Sequence, residues 1–140
     1  MSRGSPEHEH DSRFSVPARL RSFRFALGGL AWLVKLEPNA RIHLAASIAV
    51  VAAGLSLGVT SADWRWLVLA IALVWITEAI NTSLERISDV VSPEFDPRIG
   101  LAKDVAAGAV LIAALAAAAI GLLTLLPYFW VFIEGSGMSK

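Results

Sequence analysis

The sequence predicts an all-α membrane protein, with an N-terminal amphipathic surface helix followed by three transmembrane helices. Three observations predict it. Of the 140 residues, 56% are hydrophobic and only 17% charged, whereas a soluble domain carries about a quarter charged residues. Three stretches are apolar for long enough to cross a hydrocarbon core of about 30 Å. Five tryptophans in so short a chain suit anchoring at a membrane interface.

The same numbers exclude other classes. A net charge of zero argues against a nucleic-acid partner, because neutralising phosphates needs a basic face. The absence of cysteine rules out disulfides, thiolate metal sites and a cysteine nucleophile. The length fits one domain.

Residues 1–15 read as a disordered polar tail. Its run Glu7-His8-Glu9-His10-Asp11 could hold a metal loosely, but composition favours a solvated segment. No apolar core follows a basic start, so this is not a signal peptide. The membrane domain is expected over residues 16–133. Its surface helix, 16–36, alternates Arg19, Arg21, Arg24 and Lys35 with Leu20, Phe23, Leu27, Leu30, Trp32 and Leu33, a pattern suited to the headgroup level. Pro17 suits a first helical turn.

The spans are expected at about 38–60, 63–90 and 98–132. The first is rich in alanine and contains Gly54, which favours close helix packing. Thr60-Ser-Ala-Asp63 reads as a turn, with Ser61 or Asp63 capping the next helix. The second span turns polar towards its end. Pro93 and Pro97 then break the chain, and the third span follows, with Pro127 near its exit. Residues 134–140 read as a flexible tail.

Seven of the twelve Lys/Arg lie before Ile42, and Arg86, Arg98 and Lys103 surround the second loop. By the positive-inside rule, the N-terminus and that loop face the cytoplasm.

The informative stretch is Glu78-Ala-Ile-Asn81-Thr-Ser-Leu-Glu85-Arg-Ile-Ser-Asp89, followed by Lys103 and Asp104. At 100° per residue, Glu78, Asn81, Glu85 and Asp89 share one helix face within an arc of about 80°. Glu37 and Arg41 stand near the start of the first span. Such an acidic row suits a hard divalent cation, since Mg²⁺ takes one or two carboxylates and completes its shell with water and phosphate oxygens. Lys103 supplies a point charge for a phosphate. No Gly-rich phosphate loop is present. Polar residues at these intervals also arise when helices hydrogen-bond across a bundle. A whole acidic row is harder to explain so, because each unpaired charge at membrane depth costs at least about 2.5 kcal/mol. Spacing leaves two functional readings open, a metal-dependent enzyme and a cation or proton path.

At these residues the chain resembles the small bacterial integral-membrane lipid kinases, prokaryotic diacylglycerol kinase and undecaprenol kinase. The resemblance rests on Glu78-Ala-Ile-Asn81-Thr-Ser-Leu-Glu85, on Asp89, and on Ala102-Lys103-Asp104-Val-Ala-Ala-Gly-Ala-Val110. It implies a homotrimeric bundle in the bacterial inner membrane, with the active site on the cytoplasmic side. It also implies transfer of phosphate from ATP, with Mg²⁺, to a membrane lipid alcohol, undecaprenol or diacylglycerol. Carried over by residue, Glu78 matches the general base, and Glu37 and Glu85 match the metal carboxylates. Asn81, Asp89, Lys103 and Asp104 match the nucleotide side.

Three positions depart from the diacylglycerol branch. Asn39 and His43, in Glu37-Pro-Asn39-Ala-Arg41-Ile-His43, look more like the undecaprenol branch. There His43 reads as a packing or hydrogen-bonding residue or as a catalytic one. Asp96 stands where some diacylglycerol members have histidine. The rival from another class is a non-enzymatic membrane protein whose acidic row guides cations or protons. Lys103-Asp104 with Glu37 has no evident use in such a path.

Overall fold

Prolines and a single glycine divide the chain into four helices. The computed structural model describes residues 15–137 and contains α1 (Val16–Leu36), α2 (Pro38–Ser56), α3 (Ser61–Val91) and α4 (Pro97–Gly137). The expected tail at 1–15 thus lies outside the described residues except for Ser15, as do residues 138–140. Helices α2, α3 and α4 are each long and apolar enough to cross a membrane.

Each break has a local cause. Pro38 disfavours helical geometry at the residue before it, and Glu37 is accordingly extended (φ −98°, ψ 120°). Glu37 therefore ends α1, its N–H donating to the Leu33 carbonyl at 2.9 Å, and also precedes the first turn of α2. The α2–α3 turn needs glycine at position 58, where φ is +66° and a side chain would be strained. The Val59 N–H then donates back to the Gly54 carbonyl at 3.1 Å, closing the end of α2 at Ser56, short of the expected residue 60.

The cap of α3 differs from expectation. Thr60, rather than Ser61 or Asp63, is the N-cap, its Oγ1 accepting from the Asp63 N–H at 3.3 Å. The physical reason is the Thr-x-x-Asp spacing, which sets an acid at the third helical position as in a capping box. The Thr60 hydroxyl donates to Asp63 Oδ2 at 2.9 Å. The Tyr128 hydroxyl donates to the same oxygen at 2.5 Å, so this end of α3 is tied to α4.

Helix α4 continues through Pro127 to Gly137 and takes in residues 134–137, expected as tail. Trp130 Nε1 donates to Glu134 Oε1 at 2.7 Å, a one-turn link that spans the final segment.

Helix α3 is the spine. Its buried residues are Leu67, Ala70, Val74, Glu78, Asn81 and Thr82, a stripe at three- and four-residue intervals. Helix α4 packs along it most extensively, and its buried Ala113 shows how small side chains let the two backbones approach. Helix α2 also packs on the spine, where Trp75 Nε1 donates to Ser47 Oγ at 3.1 Å. Between α2 and α4 runs an apolar groove of about 730 Å³. Of α1, only Leu33 is buried.

Gly54 is held by packing. A Cβ there would lie 2.9 Å from two ring atoms of Trp64. Gly54→Val should therefore destabilise the protein by about 1–3 kcal/mol, read as a fall in thermal unfolding temperature in detergent. Gly29→Ala, which meets nothing within 4 Å, should leave that temperature unchanged or slightly raised.

Candidate active site

The buried stripe of α3 changes chemistry without changing phase. Leu67, Ala70 and Val74 are succeeded by Glu78 and Asn81, only 2% and 6% exposed. Glu85 is half-buried and Asp89 exposed, so one face leads from the interior to the surface within about three turns.

At the inner end, Glu78 Oε2 has no hydrogen-bond partner. His43 Nε2 of α2 lies 3.8 Å from it, beyond hydrogen-bond reach. One turn outward, the Asn81 carboxamide donates to Glu85 Oε1 at 3.2 Å. Its own buried Oδ1 is also without a partner. Two orphaned acceptors this close together are unusual, because each costs about 1–3 kcal/mol when left unsatisfied.

Glu37 reaches the same face from the α1–α2 break. Its carboxylate pairs with the Arg86 guanidinium, and the guanidinium carbon lies 5.1 Å above the Trp32 ring. Both Glu37 and Glu85 are within electrostatic reach of Glu78. At the outer end Lys103 Nζ of α4 donates to Asp89 Oδ1 at 3.0 Å. A cavity of about 380 Å³ opens there between the ends of α3 and α4, edged by Ser88, Asp89, Phe95, Lys103 and Asp104.

The structure thus brings all seven singled-out residues to α3 or its edges, in three groups. Glu78, Asn81 and Glu85 form an inner group, Glu37 is held through Arg86, and Asp89, Lys103 and Asp104 border the outer cavity. Arg86 and Trp32 carried no signal in the sequence beyond charge and interfacial type. Arg86 follows Glu85 directly and so lies about 100° off the acidic face.

The donor set suits a hard divalent cation in a restricted sense. Among the described residues no three acidic or histidine side chains converge as a ready-made cage. Glu37 and Glu85, both within electrostatic reach of Glu78, could supply the two carboxylates that Mg²⁺ takes when water and phosphate oxygens provide its remaining ligands. The unpartnered Asn81 Oδ1 adds a neutral acceptor beside them.

Asp96 has a structural task. Its Oδ1 accepts from the Arg98 N–H at 2.8 Å and its Oδ2 from the Arg98 guanidinium at 2.8 Å, capping α4.

A family model, prokaryotic diacylglycerol kinase, matches residues 24–125, most of the chain and all of the residues above. The chain belongs to the prokaryotic diacylglycerol kinase family. Within and around that family it is 39% identical over 113 residues to the diacylglycerol kinase of Synechocystis sp., covering 80% of this chain and 65% of the relative. It is 32% identical over 117 residues to the undecaprenol kinase of Bacillus subtilis, covering 84% of this chain and 95% of the relative. The chain therefore spans just under two thirds of the Synechocystis protein and nearly the whole of the Bacillus one.

Two expectations follow from this geometry. Replacing Glu78 by methionine, of similar length, removes a buried carboxylate oxygen that nothing satisfies. Glu78→Met should raise stability by about 1–3 kcal/mol, measured by thermal unfolding in detergent, whatever it does to activity. The Arg98 guanidinium and the backbone N–H groups of Arg98 and Ile99 hold the Asp96 carboxyl below its ordinary value of 3.8. A depressed carboxyl stabilises the fold above the ordinary value, and that contribution is lost as the pH falls through the depressed one. Arg98→Gln should move the Asp96 titration back up towards 3.8, as followed by carboxyl ¹³C NMR.

Proposed function

We propose that this chain is a membrane lipid kinase that transfers the γ-phosphoryl group of ATP to the hydroxyl of a lipid alcohol, undecaprenol or diacylglycerol. The observation that carries this reading is the unpartnered, buried Glu78 oxygen at the inner end of an acidic helix face. A general base needs a free lone pair within reach of the proton that it takes. Packing rarely leaves one unsatisfied at such depth without a task for it. Family membership supports the kinase reading over a cation path, as does the Lys103–Asp89 pair at the outer cavity.

Phosphoryl transfer asks the protein mainly for positioning and for neutralisation of charge. Glu78 accepts the proton of the lipid hydroxyl as its oxygen bonds to the γ-phosphorus, and the bond to the β-phosphate oxygen breaks to release ADP. Glu37 and Glu85 would hold Mg²⁺, which when bound neutralises phosphate charge. Asn81 fixes Glu85 by its hydrogen bond and keeps a buried carbonyl oxygen without a partner. Lys103 offers its ammonium to the phosphates, with Asp89 holding it in place, and Asp104 borders the nucleotide side.

We further propose that the chain works as a homotrimer in the bacterial inner membrane with the acidic face at the cytoplasmic side. The excess of Lys/Arg before Ile42 and around the α3–α4 loop supports that orientation. The apolar groove between α2 and α4 supports assembly, since one chain leaves it uncovered. The arginines and apolar side chains of α1 suit a helix lying at headgroup level, where a lipid hydroxyl also lies.

Membranes containing the protein, given labelled ATP and Mg²⁺, should label an added lipid alcohol, and separate trials with undecaprenol and diacylglycerol should rank the two. Failure to label any lipid alcohol would contradict the proposal. Glu78→Gln should lower kcat by about 10²–10⁴-fold with little change in the KM for ATP; near wild-type turnover would remove Glu78 from the base role.

A further inference from the structure

Arg86 stands where a cation is needed and is not among the residues that the family reading uses. Its guanidinium pairs with the Glu37 carboxylate and lies within electrostatic reach of Glu85 and Asp89. One arginine is therefore set among three carboxylates. The Arg86 side chain is about half exposed (52%), whereas that of Glu37 is only 17% exposed. Exposure gives the arginine room to move that the more buried carboxylate lacks. The Trp32 ring 5.1 Å away gives the guanidinium a second favourable surface, because a delocalised cation over an indole face is attracted by the ring's quadrupole.

We infer that Arg86 is a movable counter-ion of the acidic face: it neutralises Glu37 until a divalent cation takes that carboxylate, then stays over Trp32 and turns its charge to the nucleotide phosphates. The inference rests on the proposed role of Glu37 and Glu85 as metal ligands. Its physical content is competition. A divalent cation binding Glu37 must displace the guanidinium and also work against its positive charge. A polyanionic nucleotide experiences the same charge as attraction. Arg86 should therefore weaken the binding of a bare cation and strengthen the binding of ATP. A residue that merely held the helices together would help both or neither.

The opposite signs give the test. Full-length protein in detergent micelles is titrated with Mn²⁺ in the absence of nucleotide, and free Mn²⁺ is read by electron paramagnetic resonance. Arg86→Gln should bind Mn²⁺ about 3–10-fold more tightly than the wild type, while its KM for ATP rises by a similar factor. Arg86→Met, which keeps an apolar stem but not the guanidinium charge, should also tighten Mn²⁺ binding. Arg86→Lys should stay close to the wild type for Mn²⁺. Unfolding cannot tighten binding, so the sign separates this role from a structural one. Unchanged or weaker Mn²⁺ binding in both charge-removing variants would overturn the inference. Glu37→Gln and Glu85→Gln are measured alongside. If they weaken Mn²⁺ binding while the Arg86 variants do not tighten it, the counter-ion role alone falls. If they leave Mn²⁺ binding unchanged, the metal-ligand reading falls and the inference with it.

Discussion

A carboxylate buried in a membrane-spanning helix must find a partner, a proton or a use, because water is not there to solvate it. Glu78 sets this constraint for the whole molecule. It lies on the same stripe that packs Leu67, Ala70 and Val74 into the bundle, so it cannot turn outward without turning that stripe outward too. The surrounding helices do not remove the cost. His43 approaches to 3.8 Å and stops short of a hydrogen bond, leaving one oxygen free. The fold retains an unsatisfied acceptor where a better-packed residue would stabilise it, a pattern associated with function rather than with packing.

The other helices make sense as supports for that face. The one-residue break at Glu37 converts a helix junction into a carboxylate delivered from the side, and Arg86 holds it against α3. The α3–α4 loop ends in the Asp96 cap of α4, which brings Lys103 across to Asp89. At the opposite end Thr60, Asp63 and Tyr128 share hydrogen bonds, and Trp64 lies against Gly54. Of the two relatives, one is named for diacylglycerol and the other for undecaprenol.

Local rules carried much of this from the sequence alone. Helical phase put Glu78, Asn81, Glu85 and Asp89 on one face, and α3 presents them so. Pro93 and Pro97 marked the break before α4 because proline cannot continue a helix, and Pro17 marked the first turn of α1; the break at Pro38 was not read from the sequence. The α3 cap fell on Thr60 rather than on Ser61 or Asp63 because three capping residues compete within Thr60-Ser-Ala-Asp63. What remained hidden depends on distant parts of the chain meeting. Arg86 reaching Glu37 across 49 positions leaves no periodic trace, and neither does Trp75 reaching Ser47. The orphaned oxygens of Glu78 and Asn81 are invisible in a sequence, which records polar groups but not whether they are satisfied.

The central claim is that the reacting lipid hydroxyl meets Glu78 rather than the acids further out on the same face. A lipid analogue carrying an epoxide in place of the hydroxyl should alkylate whichever carboxylate it meets, and peptide mass mapping after incubation with Mg²⁺ and a non-hydrolysable ATP analogue would identify that residue. Labelling of Glu78, suppressed by excess lipid alcohol, is the expected result. Labelling confined to Glu85 or Asp89, with Glu78 unmodified, would contradict it.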